Sequence, residues 1–175
     1  MTREDDVDVF EAIGARYSVR GYKPEPVDEA TLARVLEAAR RAPTAANHQP
    51  FRVVVVHTKG REDELLRIYG RPWFVQAPLV LAFVAVPGEA WRRSDGKPYD
   101  EVDATIAMDH LVLAATALGL GTCWIAAFDP AAAREVLGLP DDVEPIAFTP
   151  LGRPDKPSAS TGRRPLEELV KYERW

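Results

Sequence analysis

The strongest constraint on the fold is a run of apolar residues that does not alternate with polar ones. Phe51 to His57 contains four successive valines, and Pro78 to Val86 repeats the pattern. A strand with one face in water alternates apolar and polar residues, whereas a strand covered on both faces is apolar throughout. The two runs therefore predict two strands that are buried on both faces.

Helical periodicity and short apolar runs account for most of the remaining chain. The predicted helices are Val7 to Gly14, a helix capped by Asp28 that ends before Pro43, Arg61 to Tyr69, Asp103 to Leu118, and one that Pro130 opens. The further predicted strands are Thr122 to Ala126 and Glu144 to Leu151. This order is mixed α and β, with helices at both ends of a central sheet. Because no linker or repeat divides the 175 residues, residues 1–175 are predicted to form one domain.

The predicted helix Asp103 to Leu118 differs from the others in how its apolar residues are distributed. They surround nearly the whole circumference instead of forming one stripe, with Ile106, Leu111 and Leu118 on different sides. Burial on most sides in a chain this small indicates packing against a partner subunit.

Composition excludes several classes of function. The 27 acidic and 22 basic residues give a formal charge of -5, so no general positive field attracts nucleic acid or an anionic membrane. Cys123 is the only cysteine, which excludes an internal disulfide, and three scattered histidines provide no zinc-site spacing. These features favour a reducing cytoplasm and predict no metal.

Neither a secretory signal nor a membrane span is predicted. The N-terminal residues Met1 to Asp8 are acidic and lack the apolar core of a signal peptide. Ala77 to Val86 is too short to cross a bilayer, which takes about 20 residues. The longer run Leu111 to Phe128 is interrupted by two glycines.

A basic pattern follows the first helix. In the extended segment Arg16 to Tyr22, side chains alternate between faces, so Arg16, Ser18 and Arg20 share one side. Two guanidinium groups and a hydroxyl suit a phosphomonoester, because arginine offers bidentate charge-assisted hydrogen bonds. An ordinary edge strand with a solvated basic face explains the spacing as well.

A loop of small residues precedes the first buried strand. Ala42 to Phe51 reads Ala-Pro-Thr-Ala-Ala-Asn-His-Gln-Pro-Phe, and its small side chains let a ligand approach the backbone. The amide side chain of Asn47 or Gln49 can both donate to and accept from the ring edge or hydroxyl groups of a bound ligand. Alternatively, the amides satisfy neighbouring backbone groups.

Four motifs together resemble the FMN-dependent nitroreductase family. They are the Arg16-Tyr-Ser-Val-Arg20 segment, the loop just described, Gly119-Leu-Gly-Thr-Cys-Trp124 and Leu151-Gly-Arg-Pro154, in that order. The resemblance extends from about Phe10 to Trp175. It implies an α+β fold with a central, mostly antiparallel sheet flanked by helices. It also implies a domain-intertwined homodimer with FMN at the subunit interface.

The resemblance assigns residues to parts of the cofactor. Tyr17 belongs to the first motif, in which Arg16 and Ser18, with the pair Arg163 and Arg164, would hold the phosphate. Arg20 would lie toward the ribityl chain and the N1 and O2 atoms, where a cation stabilises reduced flavin. The residues expected from the second subunit are Thr44, Ala45 and Asn47.

The segment Trp124 to Asp129 resembles the family's loop beside flavin N5. Many members have Glu-Gly where this chain has Ala126 and Ala127. Because backbone N–H groups make that contact, the position is expected to persist without the glutamate side chain. Contacts to the pyrimidine edge after the second strand stay unassigned, with Tyr69 and Arg71 nearby in sequence.

The resemblance implies a flavin oxidoreductase with a ping-pong mechanism. NADH or NADPH would pass hydride to flavin N5 and leave, and a nitroaromatic, quinone or similar electron-poor acceptor would follow. The chemistry belongs to the cofactor, so no catalytic acid or base is predicted. The alternatives are a reductive dehalogenase or flavin-cleaving enzyme, with Gly88 to Tyr99 as its lid, and a non-enzymatic FMN storage or sensor protein.

Overall fold

The computed structural model describes residues 7–157 and 162–175 of the chain. Its helices are α1 (Val9–Ala15), α2 (Glu29–Arg40), α3 (Glu62–Ile68), α4 (Asp100–Ala117), α5 (Pro130–Leu137) and α6 (Leu166–Leu169). Its strands are β1 (Phe51–His57), β2 (Leu79–Ala85), β3 (Gly121–Thr122) and β4 (Glu144–Gly152). The predicted α+β class is confirmed.

The strands form one sheet in the order β1-β2-β4-β3, and all its strand pairs are antiparallel. Side chains of β2 alternate between its two faces. Leu79, Leu81 and Phe83 pack with α2 and α4, whereas Val80 and Ala82 pack with α3 and α5. The sheet is therefore the middle layer of three, as expected for a strand that is apolar throughout.

The two valine-rich strands differ in burial because they occupy different places in the sheet. Every residue of β2 is buried, whereas Val56 alone is fully buried in β1. Valines of β1 do contact both apolar layers, Val53 with one and Val54 with the other. The prediction of two apolar faces is right, but full burial of β1 is wrong because β1 is an edge strand.

Helix ends follow the predicted capping chemistry. Asp28 accepts a hydrogen bond from the Thr31 backbone N–H at 2.8 Å and begins α2. Pro130 opens α5, and Gly138, at φ 62°, ends it in the left-handed conformation. The longest helix, α4, begins at Asp100, three residues earlier than predicted from its apolar pattern.

The predicted strand Thr122 to Ala126 is wrong in its extent. Only Gly121–Thr122 joins the sheet, because the Cys123 backbone N–H donates to the Thr149 hydroxyl at 3.1 Å instead of to a ladder carbonyl. Ile125 then forms an isolated bridge with Phe148.

Residues 1–6, on which the prediction about a secretory signal mainly rests, lie outside the described residues. Within the described ranges, the longest and most apolar helices still fall short of what a bilayer crossing requires.

Candidate functional site

The extended segment after α1 is fixed by backbone hydrogen bonds to two distant parts of the chain. The Val19 N–H donates to the Thr122 carbonyl at 2.8 Å, next to an isolated parallel bridge between Ser18 and Thr122. On the other side, the Asp155 N–H donates to the Gly21 carbonyl at 3.1 Å. The predicted basic segment thus lies between β3 and the residues that follow β4.

A cleft of about 580 Å³ opens along this segment. Its walls come from the segment, the stretch after β4 and the start of the C-terminal tail: Arg16, Tyr17, Ser18, Val19, Arg20, Gly21, Asp155, Lys156, Pro157, Gly162 and Arg163. The predicted trio of Arg16, Ser18 and Arg20 therefore shares one cleft with Arg163. Arg164 is exposed and is not among the lining residues.

The cleft is dominated by cationic side chains. Arg16, Arg20, Lys156 and Arg163 line it, with Asp155 as the carboxylate among them. Guanidinium groups and a serine hydroxyl make short, charge-assisted hydrogen bonds to phosphate oxygens. This donor set can therefore bind a phosphate monoester.

Sequence reasoning missed Asp155 and Lys156. The Tyr17 hydroxyl donates to the Lys156 carbonyl at 2.6 Å, between residues 139 positions apart. Burial, followed by the charge of Asp155, raises the pKa of Tyr17 above its ordinary value. Both residues directly follow the motif that ends at Pro154, and this position next to a family motif could have identified them as candidates.

Two glycines let the walls of the cleft come together. A Cβ on Gly121 would lie 2.7 Å from Val19 Cγ2, and one on Gly21 would meet the Asp155 carboxylate. Real Cβ atoms do not approach other atoms so closely, so a larger residue at position 121 displaces Val19, whereas one at position 21 requires the Asp155 side chain to move.

Arg20 lines the cleft and lies near the buried Cys123. The Arg20 guanidinium is 6.0 Å from the centre of the Trp73 ring, a cation–π distance. Cys123 is buried, and burial raises the pKa of its thiol although Arg20, Ser18 and Arg16 oppose this shift. Because these basic groups are more than 100 residues away along the chain, their closeness to the thiol was not predictable from local sequence.

The small-residue loop is not part of the cleft within one chain. Of its predicted contacts Thr44, Ala45, Asn47 and Gln49, the last borders a separate surface groove beside β1. Ala46, Asn47 and Gln49 have φ values of 50°, 58° and 53°, a region that costs non-glycine residues about 1–3 kcal/mol each. The loop is therefore strained as well as separate.

The remaining predicted contacts and the polar excursion lie elsewhere on the surface. Ala126 and Ala127 are exposed just after the Ile125 bridge and are not among the residues that line the cleft. The Gly88 to Tyr99 segment folds back on itself through a bridge between Arg92 and Pro98. In the part of the chain that the structure describes, no group of three or more His, Cys, Asp or Glu side chains could hold a metal.

Comparison with known proteins identifies relatives along nearly the whole chain. Residues 13–69 and 61–153 match the Nitroreductase family. The chain is 32% identical to the NADH dehydrogenase of Thermus thermophilus, with 89% of this chain and 91% of that protein covered. It is 31% identical to the FMN reductase (NAD(P)H) of Bacillus subtilis, with 93% of this chain and 72% of that protein covered.

Solved structures agree with this fold. A nitroreductase family protein from Clostridium difficile 630 superposes with a TM-score of 0.86 at 34% identity and covers 100% of both chains. A nitroreductase family protein from Clostridium novyi NT has a TM-score of 0.79 at 33% identity and covers 85% of this chain and 86% of that one.

Proposed function

Because this chain belongs to the nitroreductase family, we propose that it is an NAD(P)H oxidoreductase that uses FMN and reduces an electron-poor acceptor such as a nitroaromatic or quinone. Bound FMN would supply hydride chemistry at N5, by a ping-pong sequence in which NADH or NADPH precedes the acceptor. The observation that carries the proposal is the cleft that brings Arg16, Ser18, Arg20 and Arg163 together.

The residues of the cleft fit the phosphate end of FMN. Arg16, Ser18 and Arg163 provide charge-assisted donors, and Lys156 adds a cation that the sequence did not indicate. Asp155, the acidic member of the lining, is better suited to accept from a hydroxyl than to face a phosphate. The cleft therefore holds both a donor set for phosphate and one acceptor for a sugar alcohol.

Two further contacts are proposed for the ring of the cofactor. Arg20, held near Trp73, would place positive charge by N1 and O2 and so favour the anionic reduced state. Backbone N–H groups at Ala126 and Ala127 would donate toward N5. The chain's own contribution is position and electrostatics, and no side chain is assigned as a catalytic acid or base.

We propose that the working unit is a homodimer. Phe10 and Ile13 on α1 are 80% and 53% exposed, and Val102 on α4, a helix that α1 contacts, is 38% exposed. Such apolar side chains on two contacting helices favour burial against a second copy. A second copy would also bring the 44–49 loop to a cleft that it does not line in its own chain.

The wider setting is proposed from composition. Residues 1–175 would form a single FMN-binding domain that works in the cytoplasm, where the lone Cys123 stays reduced. The acidic net charge of -5 favours small-molecule substrates over nucleic acid or an anionic membrane.

Two measurements test the proposal on the purified protein. Titration with FMN, followed by flavin fluorescence, should show saturable binding at one site per chain, with phosphate-free riboflavin binding far more weakly. Stopped-flow mixing of the FMN-bound protein with NADH or NADPH should bleach the flavin, and a quinone should restore its colour. Binding without bleaching would favour an FMN storage or sensor protein, and absence of binding would refute the cofactor assignment.

A further inference from the structure

The 44–49 loop needs an external hold to keep its conformation. Its internal hydrogen bonds join loop atoms to each other, as when the Gln49 N–H donates to the Thr44 hydroxyl at 3.1 Å. Such bonds shape the loop but do not attach it to the rest of the protein. Since three of its residues other than glycine have left-handed backbone conformations, the surroundings must impose the shape.

A buried carboxylate provides that attachment. Asp103 lies near the start of α4 and is 1% exposed, and its Oδ1 accepts a hydrogen bond from the Ala45 backbone N–H at 2.9 Å. Burying a carboxylate is costly unless donors compensate, and the positive end of the helix dipole contributes to that compensation. The Asp103 contact thus joins the loop to the longest helix of the fold.

The other oxygen of this side chain has no comparable role. Among the described residues, Asp103 Oδ2 is buried and has no hydrogen-bond partner. Among the hydrogen bonds of the described residues, the one from the Ala45 N–H is therefore what compensates the burial of this side chain.

The other outward attachments of the loop are exposed, and one of them is a hydrogen bond from Arg52 Nη1 to the Gln49 carbonyl at 3.4 Å. The His48 Nδ1 atom lies 3.0 Å from the Glu89 carbonyl, and the Glu89 side chain pairs with Arg52 at 2.8 Å. Exposed contacts of this kind are weakened by water and salt. Asp103 is therefore the buried anchor among these attachments.

We propose that Asp103 is a positioning residue for the cofactor site. By holding the Ala45 N–H, it would keep Thr44, Ala45 and Asn47 in the shape in which they meet FMN bound in the partner's cleft. This inference rests on the proposed function and adds a residue that touches no cofactor atom.

A pair of isosteric variants separates the hydrogen bond from general packing. Asp103→Asn keeps an oxygen acceptor for Ala45, whereas Asp103→Leu fills similar space without one. Glu101→Leu makes the same exchange at an exposed position one half-turn away on α4 and serves as the control. The measurements are the FMN dissociation constant, hydrogen exchange at the Ala45 amide and the thermal midpoint without FMN.

We expect Asp103→Leu to weaken FMN binding about tenfold and to speed exchange at Ala45, because a lost hydrogen bond changes an equilibrium by roughly that factor. Asp103→Asn and Glu101→Leu should stay within about threefold of the wild-type affinity. If Asp103→Leu melts below the assay temperature, Asp103→Ala replaces it, since it removes the acceptor without adding bulk.

Two results would overturn the inference while the proposed function stands. One is wild-type FMN affinity in the variant that lacks an acceptor at residue 103. The other is a loss in Asp103→Asn as large as that in Asp103→Leu, because the retained acceptor would then not matter. A wild-type protein that fails to bind FMN would instead refute the proposed function, and this inference with it.

Discussion

The basic cleft and the 44–49 loop were both predicted from sequence as cofactor contacts, yet they are built in opposite ways. The cleft draws Ser18, Lys156 and Arg163 from distant parts of one chain, and backbone hydrogen bonds hold the segment of Ser18 to β3 and to Asp155. The loop is one continuous segment with a strained backbone, and it is held by the hydrogen bond from the Ala45 N–H to the Asp103 carboxylate. Under the proposed function, one chain would complete the phosphate end of the site, whereas the loop would act against a second copy.

The largest expected effect tests the cleft. Arg16→Ala should weaken FMN binding by about 1.5–3 kcal/mol, which is roughly 10- to 150-fold, because it removes a charge-assisted contact to phosphate. Riboflavin, which lacks the phosphate, should bind the variant and the wild-type protein alike. Fluorescence titration with both flavins measures the difference.

The control for this change is Arg34→Ala, which removes the same charge from an exposed position on α2. It should leave the affinity for FMN unchanged. An Arg16→Ala protein that retains wild-type FMN affinity would show that the cleft is not where the phosphate binds, and the contrast with the loop would lose its basis.

A smaller effect should follow from disturbing the wall of the cleft without touching a cationic side chain. Gly121→Ala would place a Cβ 2.7 Å from Val19 Cγ2, and overpacking of this kind typically costs about 1–3 kcal/mol. We expect the thermal midpoint to fall by about 2–10 °C, given the usual scaling for chains of this length. FMN affinity should fall too, because Val19 separates Ser18 from Arg20.

Gly88→Ala is the matched control for Gly121→Ala, because a Cβ at residue 88 would meet open space. Its thermal midpoint should stay within about 2 °C of the wild-type value. Equal melting of the two variants would mean that the contact between Gly121 and Val19 is not tight in solution.

Local chemistry explains why much of the fold could be predicted. The valines of β1 set its bounds, and Asp28 and Pro130 marked helix starts, because each signal acts within a few residues. The edge position of β1 was not predictable in this way, since it depends on which strands pair. The alternating basic pattern of Arg16, Ser18 and Arg20 also occurs in ordinary edge strands. It was the family resemblance that identified these residues as a predicted phosphate site.

The parts of the site that sequence reasoning missed depend on long-range contacts. Lys156 enters the cleft because its carbonyl accepts from Tyr17, 139 residues away. From sequence, Asp103 resembles any acidic residue near a helix start. In the structure its carboxylate accepts a hydrogen bond from the Ala45 N–H. Neither contact can be predicted from local sequence, because the residues next to each partner in the chain do not indicate a distant hydrogen bond.

The smallest expected effect tests the strain of the loop. Ala46 has φ 50°, so Ala46→Gly removes a left-handed penalty of about 1–2 kcal/mol and adds a chain-entropy cost of about 0.5–1 kcal/mol. The net gain of roughly 0.5 kcal/mol should raise the thermal midpoint by about 1–2 °C. Ala90→Gly makes the same exchange at φ −70° and should lower it instead. Opposite shifts would identify the strain as real, whereas a lower midpoint in both variants would mean that the loop relaxes in solution and that Asp103 does not impose its shape.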